Sequence, residues 1–377
     1  MRISIGEEKT KLQWFEIVRQ WVTGKGYNNI MTDSVLIVDT HYDKQLVMEH
    51  SEDDQQVPKG IVPVTDREKL FRLLRYLKNT NNYRYILMDI FLDKAVIQPA
   101  DSSLYQLIAS MPRIGISSPP EHPLAENKLD SKAGRVQYGT TIWENDFVKY
   151  SFIVNDEKSL PLKMYEELSG HTLRKTGPLY WDGWHLVRSN AILTYSFIED
   201  DDVRDNRMYL GLSLVGDSVN SAEYISLLSD SEFAKDKYVL IGDFEDDVHN
   251  TFIGEMSGTA INFNAFLSLL AGCHHISLFT LFFIFVLFWA LVYLTLSDFK
   301  FARMFMWIGY PAYLLIACFF IYIAFHDAYD VLAASFLFYA LQNTVEIIQN
   351  KKAVIKKMNN IKNKITSIWK KTMKSPN

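Results

Sequence analysis

"KYVLIGDFEDDVHNTFIGEMSG", residues 237–258, sets an apolar run against five acidic residues, a histidine and three glycines. The run "YVLIG" reads as a buried strand that delivers Gly242 and the acids behind it to its C-terminal edge, where open α/β sheets place ligands. Two other segments end alike: "VLIVD" (35–39) closes on Asp39, and "YRYILMDIFLD" (83–93) carries Asp89. Between them "TDREKLFRLLRYLKNT" (65–80) opens on a Thr or Asp cap and repeats Leu70, Phe71, Leu73, Leu74 and Leu77 at helical spacing. Strand, helix, strand is a βαβ pattern, with a long excursion over 40–64 after its first strand.

Downstream, "ADSSLYQLIASM" (100–111) reads as a second helix and "RIGIS" (113–117) as a short strand. "GRVQYGTTIW" (134–143) and "VKYSFIVN" (148–155) alternate and are rich in aromatic residues, which predicts an antiparallel pair on the same sheet or a flap over it. "LPLKMYEELSG" (160–170) is a short helix ending at Gly170, and "NAILTYSF" (190–197) is a later strand. "SGTAINFNAFLSLLAG" (257–272) is a helix with too many apolar residues for one exposed face. The expected fold class is α/β, a mixed sheet with flanking helices, as one domain over residues 1–272.

Oxygen-rich chemistry at Asp39, Asp89 and Asp247 with His249 would suit magnesium or calcium. The same acids serve equally as helix caps and loop solvation, and no ligand spacing is diagnostic, so no metal is assigned. A P-loop is excluded, since "IGDFEDD" lacks its glycine spacing and lysine. Asp39, Asp89, Asp247 and His249 stand as the candidate ligand-binding residues. No nucleophile-elbow pattern joins the Ser, His and Asp residues, and no catalytic constellation or cofactor motif is found.

Charge is divided unevenly along the chain. Up to residue 272 there are 28 basic and 40 acidic residues, a net −12; beyond it there are 11 and 4, a net +7. "ISLFTLFFIFVLFWALVYLTL" (276–296) runs 21 residues without a charge, about the length that spans a hydrocarbon core. "MFMWIGYPAYLLIACFFIYIAF" (304–325) and "VLAASFLFYALQNTVEII" (331–348) follow. The region 273–348 is thus expected to hold three transmembrane helices, at about 276–297, 304–325 and 329–348. Nine lysines and no acid lie beyond residue 350, "HDAYD" (326–330) is acidic, and "SDFKFAR" (297–303) is basic. The positive-inside rule then places the tail in the cytoplasm and residues 1–272 outside it, in a multi-pass protein of the inner (cytoplasmic) membrane. The N-terminal stretch lacks the apolar core of a signal peptide or anchor helix. Either the sequence starts inside a longer reading frame, or the large domain stays in the cytoplasm with a different span count.

The motifs resemble those of the CHASE domain of the second type (cyclases/histidine kinases associated sensory extracellular). "YVLIG" with Gly242 matches its strand, Asp247, His249 and Thr251 its loop, and Gly258 and Asn264 its helix entry. Phe252 and Ser257 stand where the family favours proline. "VLIVDT", the 66–80 helix, "YILMDIFL" and "SLPLKMYEEL" occur in the family's order, so the resemblance covers residues 33–348. It implies a sensory domain outside the cytoplasm, preceded by an N-terminal membrane helix, followed by three spans and normally by a cytoplasmic enzymatic module. No such module is present in this sequence.

Four further features bear on function. His274 and His275 fit polar anchors at a membrane interface better than ligands. "LYWDGWHLV" (179–187) fits a packed turn or the wall of a ligand pocket. In the tail (349–377), Ile347, Val354, Met358, Ile361, Ile365 and Ile368 form a seam at intervals of 7, 4, 3, 4 and 3, flanked by lysines. Lys351, Lys352, Lys356 and Lys357 with Trp369 suit an anionic membrane surface or an acidic cytoplasmic signalling partner. Cys273 and Cys318 form no metal or redox pair. The expectation is a membrane-anchored sensory protein that binds an unidentified small molecule, with no enzymatic output, no nucleic-acid partner and scope for homo-oligomers. The rival is a membrane effector whose cytoplasmic domain senses a ligand and whose spans disrupt the membrane or form a channel.

Overall fold

The computed structural model describes residues 12–15, 17–18, 34–51, 57–118, 124, 126–136, 146–177, 179–193, 207–209, 232–251 and 254–276, with helical positions 282, 285, 286 and 289. The chain divides into two compact units, Met1–Ser277 and Leu278–Asn377. In the first, β1 (Val35–Asp39) is followed by a hairpin of β2 (Lys44–His50) and β3 (Pro58–Thr65), then α1 (Arg67–Thr80), β4 (Tyr85–Asp89), α2 (Asp101–Ser110), β5 (Ile114–Ser118) and β6 (Ala133–Arg135). Short strands β7 (Asp146–Phe147), β8 (Lys149–Ser151), β9 (Ile153–Val154) and β10 (Glu157–Lys158) lead to α3 (Leu160–Ser169). β11 (Leu173–Thr176), β12 (Leu179–Asp182) and β13 (His185–Val187) form an antiparallel ribbon. β14 (Asn190–Ile192), β15 (Arg207–Tyr209), β16 (Tyr238–Gly242), β17 (Val248–Thr251), β18 (Gly254–Ser257) and α4 (Gly258–Leu270) complete the described series.

The main sheet has the order β15-β1-β16-β4-β5-β6, and every pairing in it is parallel. A parallel sheet is covered on both faces, which is why its strands read as unbroken apolar runs; β1 and β16 are buried at every position. On one face, Leu36, Val38, Ile86, Met88, Val239 and Ile241 join Leu70, Leu73, Leu74 and Leu77 of α1 in a core that also takes in α2. Asp66 caps α1 by accepting from the Glu68 and Lys69 amides, and Asn81 ends it in the left-handed region at φ 46°. On the other face, the Tyr238 ring lies 5.3 Å from Phe263 and 5.6 Å from Phe266 of α4. Helix α4 is buried at every residue from Thr259 to Leu269. The surplus of apolar residues in 257–272 therefore has a cause within the domain: the helix is enclosed by β4, β16, β14, β18 and α3.

Among the described residues, the expected antiparallel pair of "GRVQYGTTIW" and "VKYSFIVN" does not appear; residues 137–143 of the first segment lie outside them. β6 is instead the parallel edge of the main sheet, and β8 pairs antiparallel with β14. Among the described residues the sheet expected to be mixed is all parallel, with the antiparallel strands in separate small ribbons. The excursion over 40–64 is the β2–β3 hairpin.

Among the described residues, no helix is long and apolar enough to cross a membrane. The expected spans, apart from positions 282, 285, 286 and 289, lie outside the described residues. So do the tail with Lys351, Lys352, Lys356, Lys357 and Trp369, and most of the N-terminal stretch.

Candidate functional site

Register places three strand ends side by side: Asp39 is opposite Gly242, and Gly242 is opposite Asp89. The N-terminus of α4 docks on this edge, and two glycines permit the approach. A Cβ at Gly242 would stand 2.0 Å from Thr259 Oγ1, and one at Gly258 would stand 2.2 Å from Asp247 Oδ2. Alanine at Gly242 would require Thr259 to shift, and alanine at Gly258 would displace the Asp247 carboxylate from its place beside His249. These two glycines of the family-like pattern thus have a packing reason.

The approach brings together residues from distant segments. His249 Nε2 lies 2.9 Å from Asp247 Oδ1, and the Asp247 carbonyl accepts from the Gly258 amide at 2.8 Å. Asn262, one turn into α4, donates to Asp89 Oδ2 at 2.8 Å and accepts from the Tyr150 hydroxyl at 2.5 Å. The Phe147 ring meets His249 edge-on at 5.2 Å. Asp89, Tyr150, Asp247, His249, Gly258 and Asn262 border a cavity of about 30 Å³, room for a water- or ion-sized occupant.

Electrostatics at this cavity are set by burial. Asp89 is partly buried with its open side on the cavity, and the low dielectric around the rest of its carboxyl pushes it up to about 6. Asp247 adds to the rise, while Ser117, Asn262 and His249 oppose it. The hydrogen bond to Asp247 raises His249; burial works against that, and the charges of Asp247 and Asp89 reinforce it. Asp89 therefore holds its proton more readily than a free carboxyl and His249 more readily than a free imidazole, each under the influence of the other.

Of the four candidate ligand-binding residues, Asp89, Asp247 and His249 converge. Asp39 has another place: its Oδ1 accepts from the His41 amide at 3.0 Å and the Phe244 amide at 3.3 Å, tying the β1 and β16 loops together. The neighbouring acids of the opening stretch are occupied by a cation from β2. Lys44 Nζ lies 2.7 Å from both Asp243 Oδ2 and Asp246 Oδ2. Burial resists ionisation of Asp243, but Lys44 and the amides of Asp246 and Glu245 outweigh it and hold the carboxyl below its ordinary value. Thr251 closes the β17–β18 turn by donating to the Gly254 carbonyl at 2.6 Å. Asn264 points away from the site and donates to the Ala260 carbonyl at 3.0 Å within its own helix. The asparagine that reaches Asp89 is Asn262, which the sequence reading passed over, as it did Tyr150. The one signal for it was the i, i+2 pair in "INFN", since two asparagines in a buried helix each require a partner.

His274 and His275 are not free surface anchors. His274 is fully buried and both rings face Asp182 of "LYWDGWHLV". The chain leaving α4 is zipped onto β13: the Ile276 amide donates to the Leu186 carbonyl and the Arg188 amide to the His274 carbonyl, each at 2.9 Å.

No protein-family model, curated protein or solved structure matches this chain.

Proposed function

We propose that the protein is a membrane-anchored sensory protein. In this reading the stimulus acts at the Asp89, Asp247 and His249 cavity, and α4 carries the change toward the membrane segments. One observation carries the proposal: Asn262 of α4 bridges Asp89 at the sheet edge and Tyr150 of β8, and the same helix leads within a few residues to the apolar run that begins at 276. A change in charge at Asp89 alters what Asn262 bonds to, and α4 is the element that shares both ends. The cavity suits a proton, water or small ion as the immediate trigger. A larger ligand requires the surrounding loops to open, at the cost of differential affinity for two states.

The resemblance of "YVLIG", Asp247, Thr251 and Gly258 to the CHASE domain of the second type supports the same reading, with the domain outside the cytoplasm and the basic tail inside. The test is amide hydrogen exchange of the full chain in lipid nanodiscs, corrected for intrinsic rates, between pH 5 and pH 7.5. Exchange in 268–276 is expected to differ between the two ends of the range in the wild type, and to stay at its low-pH level in Asp89→Asn. Asn262→Ala is expected to abolish the difference. An exit segment indifferent to pH in the wild type, with Asp89 shown to titrate, would overturn the relay.

A further inference from the structure

A second cluster lies at the domain's exit, around a carboxylate that is 1% exposed. Asp182 ends β12, and His274 and His275 follow α4 by a few residues, yet the fold closes a sequence separation of 92 between Asp182 and His274 to side-chain contact. His274 Nε2 and His275 Nε2 each lie 3.4 Å from the same oxygen, Asp182 Oδ2. Charge-assisted N–H···O bonds close to about 2.7–2.9 Å, so both approaches are long for hydrogen bonds. They match the edge of a coordination tetrahedron, about 3.4 Å when metal–ligand bonds are about 2.0–2.1 Å. The three donor atoms all lie within 4.8 Å of one another.

We propose that Asp182 Oδ2, His274 Nε2 and His275 Nε2 bind a divalent transition-metal ion of the zinc type. Two imidazoles and one carboxylate favour such an ion over magnesium or calcium, which prefer all-oxygen sets. The carboxylate is already oriented as a ligand would be. His171 Nδ1 lies 2.9 Å from its other oxygen, Oδ1, and the Tyr165 hydroxyl donates to Oδ2 at 2.8 Å. Outer partners of this sort fix a ligand's direction. Solvent reaches the cluster through His275, which is 32% exposed, whereas His274 is at 0%. The ion would fasten the chain's exit from α4 to the β12–β13 turn, beside the backbone bonds of Arg188 and Ile276. It rests on residues separate from the Asp89 cavity, so its failure would leave the sensory reading standing.

The test uses the full chain in detergent, stripped with a chelator and titrated with Co²⁺ and then Zn²⁺. The expected result is a single Co²⁺ per chain with the intense visible absorption of a tetrahedral site, displaced by Zn²⁺, and a thermal midpoint raised by either ion. His275→Ala should weaken binding by at least about 100-fold, beyond what loss of an outer partner does. His185→Ala removes a ring stacked 4.7 Å from His275 but no ligand, and should bind as the wild type does. Asp246→Asn, in the Lys44 cluster, should also bind normally. A wild type that takes up neither ion would overturn the proposal, as would undiminished binding in both His275→Ala and Asp182→Asn. If His275→Ala fails to fold, the wild-type titration and Asp246→Asn still decide it.

Discussion

Asp89 is held in a place that favours its neutral form. Its carboxyl titrates at about 6 in the folded domain against an ordinary value of 3.8. Between those values the unfolded chain releases the proton and the folded chain keeps it, so stability falls as pH rises from about 4 to about 6 and levels off above. His249, also raised, contributes stability that is present below its unfolded value of about 6.5 and lost as pH rises through its folded one. Asp89→Asn mimics the protonated acid and keeps an acceptor for Asn262. Its thermal midpoint is expected to lose the decline between about pH 4 and 6 while retaining the decline above it; an unchanged profile would show that Asp89 is not the titrating group. Three of the residues that meet here were visible in the sequence: Asp89 because a strand ending on an acid announces its own edge, Asp247 and His249 because they follow "YVLIG" within a few residues. Tyr150 and Asn262, 112 residues apart, were not, since nothing local in either segment encodes their meeting. The pairing of Asp182 with His274 and His275 was hidden for the same reason.

Elements were legible where one physical rule governed them. β1, β4 and β16 are buried on both faces and read as apolar runs, and α1 has one buried stripe and reads by its period. The small strands from 146 to 192 follow mixed rules: they are two to four residues long and range from fully buried in β14 to mostly exposed in β11, and β7 and β8 pair with partners far along the chain. The joint between α1 and α2 was also invisible. Arg67 is buried, donates to Asp101 Oδ1 at 2.7 Å, and also bonds the Val96 carbonyl and the Tyr105 hydroxyl. Asp101→Ala would leave that guanidinium without its counter-charge, and unfolding of the full chain in detergent should show a loss of about 3–5 kcal/mol. A loss under about 1 kcal/mol, the range of surface pairs, would mean that solvent reaches the Arg67 site.

The molecule as a whole is asymmetric in charge, net −12 up to residue 272 and net +7 beyond it. In the second unit, Phe282, Phe285, Val286 and Trp289 occupy helical positions and are exposed at 41–67%. The sensory reading requires the α/β domain and the basic tail to lie on opposite sides of the membrane, and the effector reading requires both in the cytoplasm. Native Cys273 is buried, so a probe belongs at Lys59, exposed on β3, and at Ser375, with both native cysteines replaced by serine. A membrane-impermeant maleimide applied to intact cells, once any outer envelope is permeabilised, is expected to label Lys59→Cys at once and Ser375→Cys only after the inner membrane is broken. Protection of both positions until lysis would contradict the sensory account and leave the cytoplasmic effector in its place.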